Sequence, residues 1–367
     1  MQVDTTTIEG VRTVHNFNSG PSVLPKEVFE EASQAVLNFN NTGLSILEIG
    51  HRTPMFQDVM DEARSLTKEL MQLDGDHEVL FLHGGASTQF MQVPMNLLDD
   101  DQTAAYTDTG IFASKAIKEA KVFGNVDIVC SSKESGYKFI PKDFVVPENA
   151  KYLHITTNNT IYGTQWQKIP STNVPLVADM SSDILSRVID FNAFDLIYAG
   201  AQKNVGAAGV NLVVVNKNIL GDIKRTIPAI MDYRNHIRDG SMMNTPPVFA
   251  VYVCMLTLRW LKREGGVSVM EELSKQKAAM LYKEVDENPL FAGTVMKEDR
   301  SKMNVCFVIT NKDLEEKFLS FAKAHGIVGI KGHRSAGGFR ASLYNALPVS
   351  SVKFLADIMK EFTLQHN

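Results

Sequence analysis

Short apolar runs alternate along the first two thirds of the chain with segments whose apolar residues recur every three or four positions. Six runs are typical of strands buried on both faces, and they cover 79–82, 126–129, 152–155, 175–178, 195–198 and 212–215. Helical spacing separates several of them, for example over 111–121. Buried strands that alternate with helices predict an α/β fold with a mostly parallel sheet covered by helices.

The pattern changes near Gly265 and Gly266. The apolar helix predicted over 248–262 ends there, and helical and strand-like segments follow up to a last helix from about residue 350. We therefore expect three parts, namely an N-terminal arm (1–15), a large domain (16–262) and a small α+β domain (263–367). A chain of 367 residues is long enough for one large and one smaller core.

Composition and charge narrow the class of protein. The net charge of −5 argues against nucleic acid as a partner, and the longest apolar stretch, 248–261, is too short for a membrane span. Cys130, Cys254 and Cys306 are far apart, and the first residues show no signal-peptide pattern. The histidines show no metal-ligand spacing. These features favour a cytoplasmic protein without a metal, a membrane anchor or bound nucleic acid.

Three segments that follow predicted strands carry candidate chemistry, because ligands of open α/β sheets bind beyond the carboxyl ends of the strands. The first strand is followed by His83, by small residues over 84–87 and then by a helix start, which favours an anion such as phosphate. Asp179 follows the fourth strand, where a buried carboxylate needs a positive partner. Lys203 follows the fifth among small residues, and desolvation there would turn its amine into a nucleophile.

Each of these features also has a purely structural interpretation. Ser87 could cap a helix after a tight turn, Asp179 could cap the next helix, and Lys203 could be a surface residue in a glycine-rich turn. The order of the three along the chain nevertheless matches the needs of a pyridoxal phosphate (PLP) site. Such a site takes a phosphate cradle, a carboxylate for the pyridine nitrogen and a lysine for the aldehyde.

Longer motifs resemble one family of PLP enzymes, the phosphoserine aminotransferases of class V and fold type I. The resemblance runs from about Asn16 to the C-terminal helix, and its motifs are NFNSGPSVLP at 16–25, LEIGHR at 47–52, NNTIYG at 158–163, NTPP at 244–247 and GHRSAGGFRAS at 332–342. It implies a large domain with a mostly parallel seven-stranded sheet and a smaller α+β C-terminal domain. It also implies one PLP per subunit and a homodimer with shared active sites.

The resemblance further implies roles for individual residues. Lys203 and Asp179 would be catalytic, Lys203 as the Schiff-base lysine and Asp179 as the partner of the pyridine nitrogen. Further cofactor-binding residues would be Ala86, Ser87, Phe112, Thr160 and Gln202, together with Asn244 and Thr245 from the second subunit. Substrate would be held by Ser19, His51, Arg52, His333, Arg334 and Arg340, with Arg340 on the α-carboxylate. Ser87 and Phe112 depart from the arginine and tryptophan that the family often has there.

The arginines can also be interpreted without the family. Two His-Arg pairs, 51–52 and 333–334, and Arg340 lie in glycine-rich loops and not on predicted helix faces. Arginine binds phosphate and carboxylate through a planar fork of donors, so this set suits a phosphorylated amino acid. The alternative for any single one is a solvent-exposed loop arginine.

We therefore expect transamination between glutamate and 3-phosphohydroxypyruvate, which yields O-phosphoserine and 2-oxoglutarate in serine biosynthesis. Formation of 4-phosphohydroxythreonine is a second activity left open. One alternative is another class V enzyme, such as an alanine–glyoxylate aminotransferase or a cysteine desulfurase, although the cysteines lie in apolar segments that suit inert packing. The other alternative is a non-catalytic protein that binds an anionic metabolite.

Overall fold

The structure is a computed structural model that describes residues 13–366. Its helices are α1 (Lys26–Leu37), α2 (Pro54–Met71), α3 (Ala86–Leu97), α4 (Ile111–Ala120), α5 (Tyr233–Arg238), α6 (Val248–Arg263), α7 (Gly266–Glu287), α8 (Glu315–Ala324) and α9 (Val349–His366). Its strands are β1 (His15–Asn16), β2 (His77–His83), β3 (Thr103–Asp108), β4 (Asn125–Ser131), β5 (Leu153–Thr156), β6 (Leu176–Asp179), β7 (Leu196–Gly200), β8 (Val210–Asn216), β9 (Phe291–Gly293), β10 (Asn304–Ile309), β11 (Ile327–Val328) and β12 (Phe339–Ser342).

Seven of these strands form the central sheet, in the order β2-β8-β7-β6-β5-β3-β4. Strand β8 is antiparallel to both of its neighbours, and the other adjacent pairs are parallel. The mostly parallel seven-stranded sheet is therefore confirmed. Because β2, β5, β6 and β7 run in one direction, their carboxyl ends meet at one edge of the sheet. The segments predicted to carry chemistry follow β2, β6 and β7, so the topology brings them together.

Successive side chains of the central strands point to opposite faces of the sheet, so the core is divided between the two faces. In β2, Val79 and Phe81 pack into one apolar cluster, whereas Leu80 and Leu82 pack into another. Every residue of β5, β6 and β7 is buried. This explains why these strands have nearly continuous apolar sequences, since helices cover the sheet on both sides.

Strand β4 is more exposed than predicted, and strand β3 had not been predicted. The run 126–129 lies in β4, which is an edge strand with exposed Asp127 and Ile128, because it has a neighbour on one side only. Strand β3, with the sequence Thr-Ala-Ala-Tyr-Thr-Asp, lies between β4 and β5 and is buried at five of its six residues. Its threonines and alanines form no apolar run, so the hydrophobic pattern did not reveal it.

The C-terminal third forms a second core around the antiparallel sheet β12-β10-β9. Phe17 also belongs to this core, because β1 pairs in parallel with β11. Helix α7 contributes Met270 to the core of the central sheet and Leu281 to the second core. The domain limits at 15/16 and 262/263 stay predictions, and most of the predicted arm lies outside the described residues. Within residues 13–366, no helix has the length and hydropathy needed to cross a bilayer.

We predict that Phe318→Ala lowers the free energy of unfolding by about 3–5 kcal/mol. The Phe318 ring is fully buried, with the ring centroids of Phe291, Phe339 and Phe362 5.0, 5.1 and 5.2 Å away, so its removal leaves a cavity in the second core. Urea unfolding measures the change. Leu364→Ala is the control, because Leu364 is 82 % exposed. A loss below about 1 kcal/mol for Phe318→Ala would contradict this assignment of the core.

Candidate active site

The carboxyl edge of the central sheet opens into a cavity of about 270 Å³. Predicted site residues from distant parts of the chain line it, and they are Ser19, Ala86, Ser87, Phe112, Thr160, Asp179, Gln202, Lys203, His333 and Arg340. A larger cavity of about 860 Å³, with Phe144 and Trp166 in its lining, contains none of the predicted residues. Converging polar and ionisable groups, rather than size, therefore make the smaller cavity the candidate active site.

Lys203 lies three residues beyond the end of β7, and its ammonium group faces this cavity. Its Nζ donates a hydrogen bond to Thr160 Oγ1 at 2.8 Å. The pKa of Lys203 is lowered to about 8, chiefly by burial; the carboxylates of Asp179 and Asp183 act in the opposite direction, and Arg340 contributes to the lowering. Roughly a tenth of this amine is therefore neutral and nucleophilic at pH 7, far more than of an exposed lysine.

Asp179 is the last residue of β6 and is only 4 % exposed. Burial raises its pKa, while hydrogen bonds from Ser181 and the charge of Lys203 act against that rise. The backbone N–H of Ser181 donates to Asp179 Oδ1 at 2.9 Å. These contacts offset the cost of burial only in part, so a further positive group would stabilise the carboxylate. A protonated ring nitrogen of a cofactor is such a group.

The turn from β2 into α3 has the form of an anion cradle. Gly84 has a positive φ of 105°, which glycine adopts at no steric cost, and Gly85 precedes the helix without a side-chain cap. The N–H groups of Ala86 and Ser87 open the helix and have no acceptor within it. Free amides at a helix start fit a phosphate group, as the small residues of this segment predicted.

Phe112 lies near the start of α4 and lines the cavity on one side. The centroid of its ring is 5.6 Å from Lys203 Nζ and 5.4 Å from Lys115 Nζ. The ring therefore borders the position at which Lys203 would bind an aldehyde. A flat aromatic cofactor joined to that amine could stack against it.

Arg340 reaches the cavity from β12 of the second sheet. Its Nη2 donates to Ser19 Oγ at 2.7 Å and its Nη1 donates to the carbonyl oxygen of Thr160 at 3.3 Å. Its Nε is buried without a hydrogen-bond partner. Tyr344 holds the segment that contains Ser19, because its hydroxyl donates to the carbonyl oxygen of Ser19 at 2.9 Å. Neutral oxygens fix this guanidinium and leave its charge uncompensated, as binding of a substrate carboxylate requires.

The other predicted residues lie outside the cavity lining. Arg334 is exposed beside His333, and His51 has a buried Nε2 without a hydrogen-bond partner. Asn244 Nδ2 lies 3.5 Å from His83 Nδ1, and Thr245 is exposed next to it. Arg52 is exposed as well. Their roles, which the family resemblance assigned partly to a second subunit, stay predictions.

Several lining residues had not been predicted, namely Gly20, Gly85, Phe90, Thr156, Asn158, Ile161, Ser181 and Ser182. Ser181 and Asn158 lie two residues beyond the ends of β6 and β5, so a search of all strand ends could have found them. Phe90 lies one turn inside α3 and has no local signal. Gly20 has a φ of 127°, and a Cβ there would approach Lys203 Cγ to 3.3 Å. The approach of the lysine thus favours glycine at this position.

Comparison with known proteins finds similar sequences along nearly the whole chain. A family model described as aminotransferase class V matches residues 14–355. A phosphoserine aminotransferase from Flavobacterium johnsoniae is 58 % identical over 347 residues, which cover 94 % of this chain and 98 % of that protein.

Two solved structures are similar over nearly the whole chain. The phosphoserine aminotransferase from Bacillus circulans subsp. alkalophilus is 40 % identical, with a TM-score of 0.94, and the match covers 97 % of this chain and 99 % of that one. The PLP-bound phosphoserine aminotransferase from Trichomonas vaginalis is 34 % identical, with a TM-score of 0.90, and the match covers 95 % and 100 %. PLP is thus the cofactor that both the relatives and the buried amine, carboxylate and cradle indicate. The chain belongs to the phosphoserine aminotransferases of the class V aminotransferase family.

Proposed function

We propose that this protein transfers the amino group of glutamate to 3-phosphohydroxypyruvate and so forms O-phosphoserine and 2-oxoglutarate. The observation that carries the proposal is the buried Lys203 amine, which shares one cavity with Asp179 and Arg340. The names of the relatives support the substrate pair. Formation of 4-phosphohydroxythreonine stays a prediction, as does a cytoplasmic location, which rests on the sparse cysteines.

The cavity offers a partner for each part of PLP. Lys203 would bind the aldehyde, Asp179 the ring nitrogen, Thr160 the ring hydroxyl, and the amides of Ala86 and Ser87 the phosphate, with Gln202 and Phe112 beside the ring. When bound, PLP supplies an electron sink for the negative charge that develops at the substrate α-carbon.

Lys203 is also the candidate for moving the α-proton of the substrate. A pKa of about 8 lets its amine accept and return a proton near neutral pH. Thr160 holds the amine in place through the 2.8 Å hydrogen bond. Proton transfer and aldehyde binding would therefore use the same nitrogen at different stages.

Positive charge around the cavity suits substrates with two or more negative groups. Arg340 would bind the α-carboxylate that glutamate and the phosphorylated oxo acid share. His333 lines the cavity, and its pKa is lowered by burial first and then by Arg340, Arg334 and Lys115. Since three cations act on one histidine, this part of the molecule favours a phosphate or a second carboxylate.

A homodimer would complete the site. We propose that Asn244 and Thr245 bind the cofactor phosphate of the neighbouring subunit, since they lie outside the lining of the cavity of their own chain. His51 and Arg52 also lie outside it and would contribute their charge to the neighbouring site in the same way.

The chemistry of the cysteines argues against the desulfurase alternative. A desulfurase needs a thiolate near its cofactor. Burial raises the pKa of each of Cys130, Cys254 and Cys306 to about 12, so all three stay protonated near neutral pH. The lining of the active-site cavity contains none of them.

We predict that the PLP-loaded protein shows a visible absorbance that phosphoserine and glutamate discharge and alanine does not. Lys203→Ala should lose both this absorbance and multiple turnover, because the covalent anchor and the proton carrier are the same amine. Lys118→Ala, which removes an exposed lysine of α4, is the control and should behave like the wild type. Discharge by alanine as readily as by phosphoserine would favour another class V activity, and turnover by Lys203→Ala would contradict the role of this lysine.

We predict that the cofactor-free protein binds PLP faster as the pH rises, with a midpoint near 8. Only the neutral amine attacks an aldehyde, and burial lowers the pKa of Lys203 to about 8. Stopped-flow absorbance over a range of pH measures the midpoint. Asp179→Asn should move it downward, because the Asp179 carboxylate raises the pKa of Lys203. A midpoint near 10.5, the value of an exposed lysine, would show that the amine is not desolvated.

We predict that hybrid dimers recover activity when two defective variants are mixed. One variant is Lys203→Ala, and the other carries Asn244→Ala and Thr245→Ala. If Asn244 and Thr245 act across the interface, one site of each hybrid contains Lys203 from one subunit and both phosphate ligands from the other. Mixing after mild dissociation makes about half of the dimers hybrids, each with one intact site of two, so the mixture should recover about a quarter of the wild-type activity. If these residues act within their own subunit, the mixture will stay as inactive as its components.

A further inference from the structure

A second buried carboxylate lies behind Asp179, outside the lining of the cavity. Asp183 is 4 % exposed, and its oxygens accept hydrogen bonds from Thr157 Oγ1 at 2.5 Å, Gln165 Nε2 at 3.1 Å and Arg187 Nη2 at 3.0 Å. Arg187 is 6 % exposed and also donates to the carbonyl oxygen of Trp166 at 2.5 Å. Asp183 and Arg187 thus form a buried ion pair with further hydrogen bonds on both side chains, although Arg187 Nε is buried without a partner.

Thr157 connects this ion pair to Asp179. Its backbone N–H donates to the carbonyl oxygen of Asp179 at 3.0 Å, and its Oγ1 lies 3.2 Å from the same oxygen. The same hydroxyl donates to Asp183 Oδ1. One fully buried threonine therefore contacts the residue that would bind the ring nitrogen and the carboxylate that is paired with arginine.

The charges of the two carboxylates act on each other because both are out of water. Like charges in a medium of low dielectric constant disfavour each other, whereas an arginine beside one of them cancels most of that effect. Asp183 raises the pKa of Asp179 and also that of Lys203. Because Arg187 is paired with Asp183, its positive charge should oppose this influence and leave Asp179 as the dominant negative charge at the cavity.

We propose that Asp183 and Arg187 are positioning residues that set the charge balance between Asp179 and Lys203. The ion pair would keep Asp179 ionised for the ring nitrogen without adding a second net negative charge beneath it. This inference rests on the proposed function, in which PLP binds Lys203 and Asp179.

Other groups also act on Asp179 and Lys203, and these groups are unchanged in all the variants considered below. Tyr198 of β7 and Ser181 face Asp179, and Thr160 and Arg340 face Lys203. Because these groups do not change, a shift between variants reports on the Asp183–Arg187 pair.

The test follows the visible absorbance of the PLP-loaded protein as a function of pH, since the lysine nitrogen bound to the cofactor gains or loses a proton. Asp183→Asn leaves Arg187 with an uncompensated positive charge, which should lower the midpoint of this titration. Arg187→Gln leaves Asp183 uncompensated and should raise it. The double variant should lie between the two, close to the wild type. Charges on the order of 10 Å apart at an effective dielectric constant of about 20 predict shifts of about one pH unit.

Midpoint shifts of opposite sign in Asp183→Asn and Arg187→Gln indicate an electrostatic role. General damage to the fold would move both midpoints in the same direction or not at all. Arg187→Lys keeps the charge and should retain the wild-type midpoint. Asp286→Asn is the matched control, because it breaks another partly buried pair, with Arg300 at 2.7 Å, that does not line the cavity. It should reduce stability without moving the midpoint.

The proposal requires a lowered midpoint for Asp183→Asn, a raised one for Arg187→Gln and an intermediate one for the double variant, and any other pattern overturns it. If Arg187→Gln does not fold, the test uses Asp183→Asn and Arg187→Lys instead. Equal shifts of the titration midpoint in these two variants would overturn the proposal. Absence of the visible absorbance in the wild-type protein would instead refute the proposed function. An absorbance that depends on Lys203 but has the same midpoint in every variant refutes only this inference.

Discussion

Desolvation of one amine is the constraint on which the active site depends. Lys203 lies where the carboxyl ends of buried strands meet, and burial there lowers its pKa to about 8. A parallel sheet covered on both faces provides such an edge, because its strand ends point into a space that helices and a second core close off. The cost of burying the charge is offset by Thr160 and by Asp179, which the same strands bring near it.

The second sheet completes the site through a chain of buried polar contacts. Asn304 of β10 accepts a hydrogen bond from Asn158 at 2.8 Å and donates to the Tyr344 hydroxyl at 3.2 Å. Tyr344 in turn holds Ser19, which holds Arg340. Residues that line the cavity from the central sheet are thus connected to the arginine of the other sheet. Because each buried polar group in such a network depends on its neighbours, the position of Arg340 is coupled to that of Asn158 in the cavity lining.

A buried lysine outside the cavity supports the same region. Lys277 of α7 donates from Nζ to the carbonyl oxygens of Tyr344 at 2.7 Å and Leu347 at 3.2 Å. These bonds hold the segment that follows β12. Lys203 and Lys277 are both buried amines, but the first faces a cavity, whereas the second is enclosed by backbone oxygens that it holds in place.

Local sequence determined much of this protein. Continuous apolar runs indicated the buried strands, and the small residues at 84–87, Asp179 and Lys203 could be recognised because each lies at or shortly beyond the end of a strand, where the chemistry of an α/β sheet is concentrated. Local sequence did not reveal β3, whose threonines and alanines are buried only because two other strands flank it, nor the exposure of β4, which follows from its place at the edge of the sheet. Only the tertiary structure decided that Arg340 and Ser19 meet, and that Thr157, Asp183 and Arg187 form an ion-paired cluster behind Asp179. Ser19 and Arg340 are far apart in the chain. The spacing of four residues between Asp183 and Arg187 is visible in the sequence, but the burial of this pair next to Thr157 depends on how their turn packs, which residue spacing does not record.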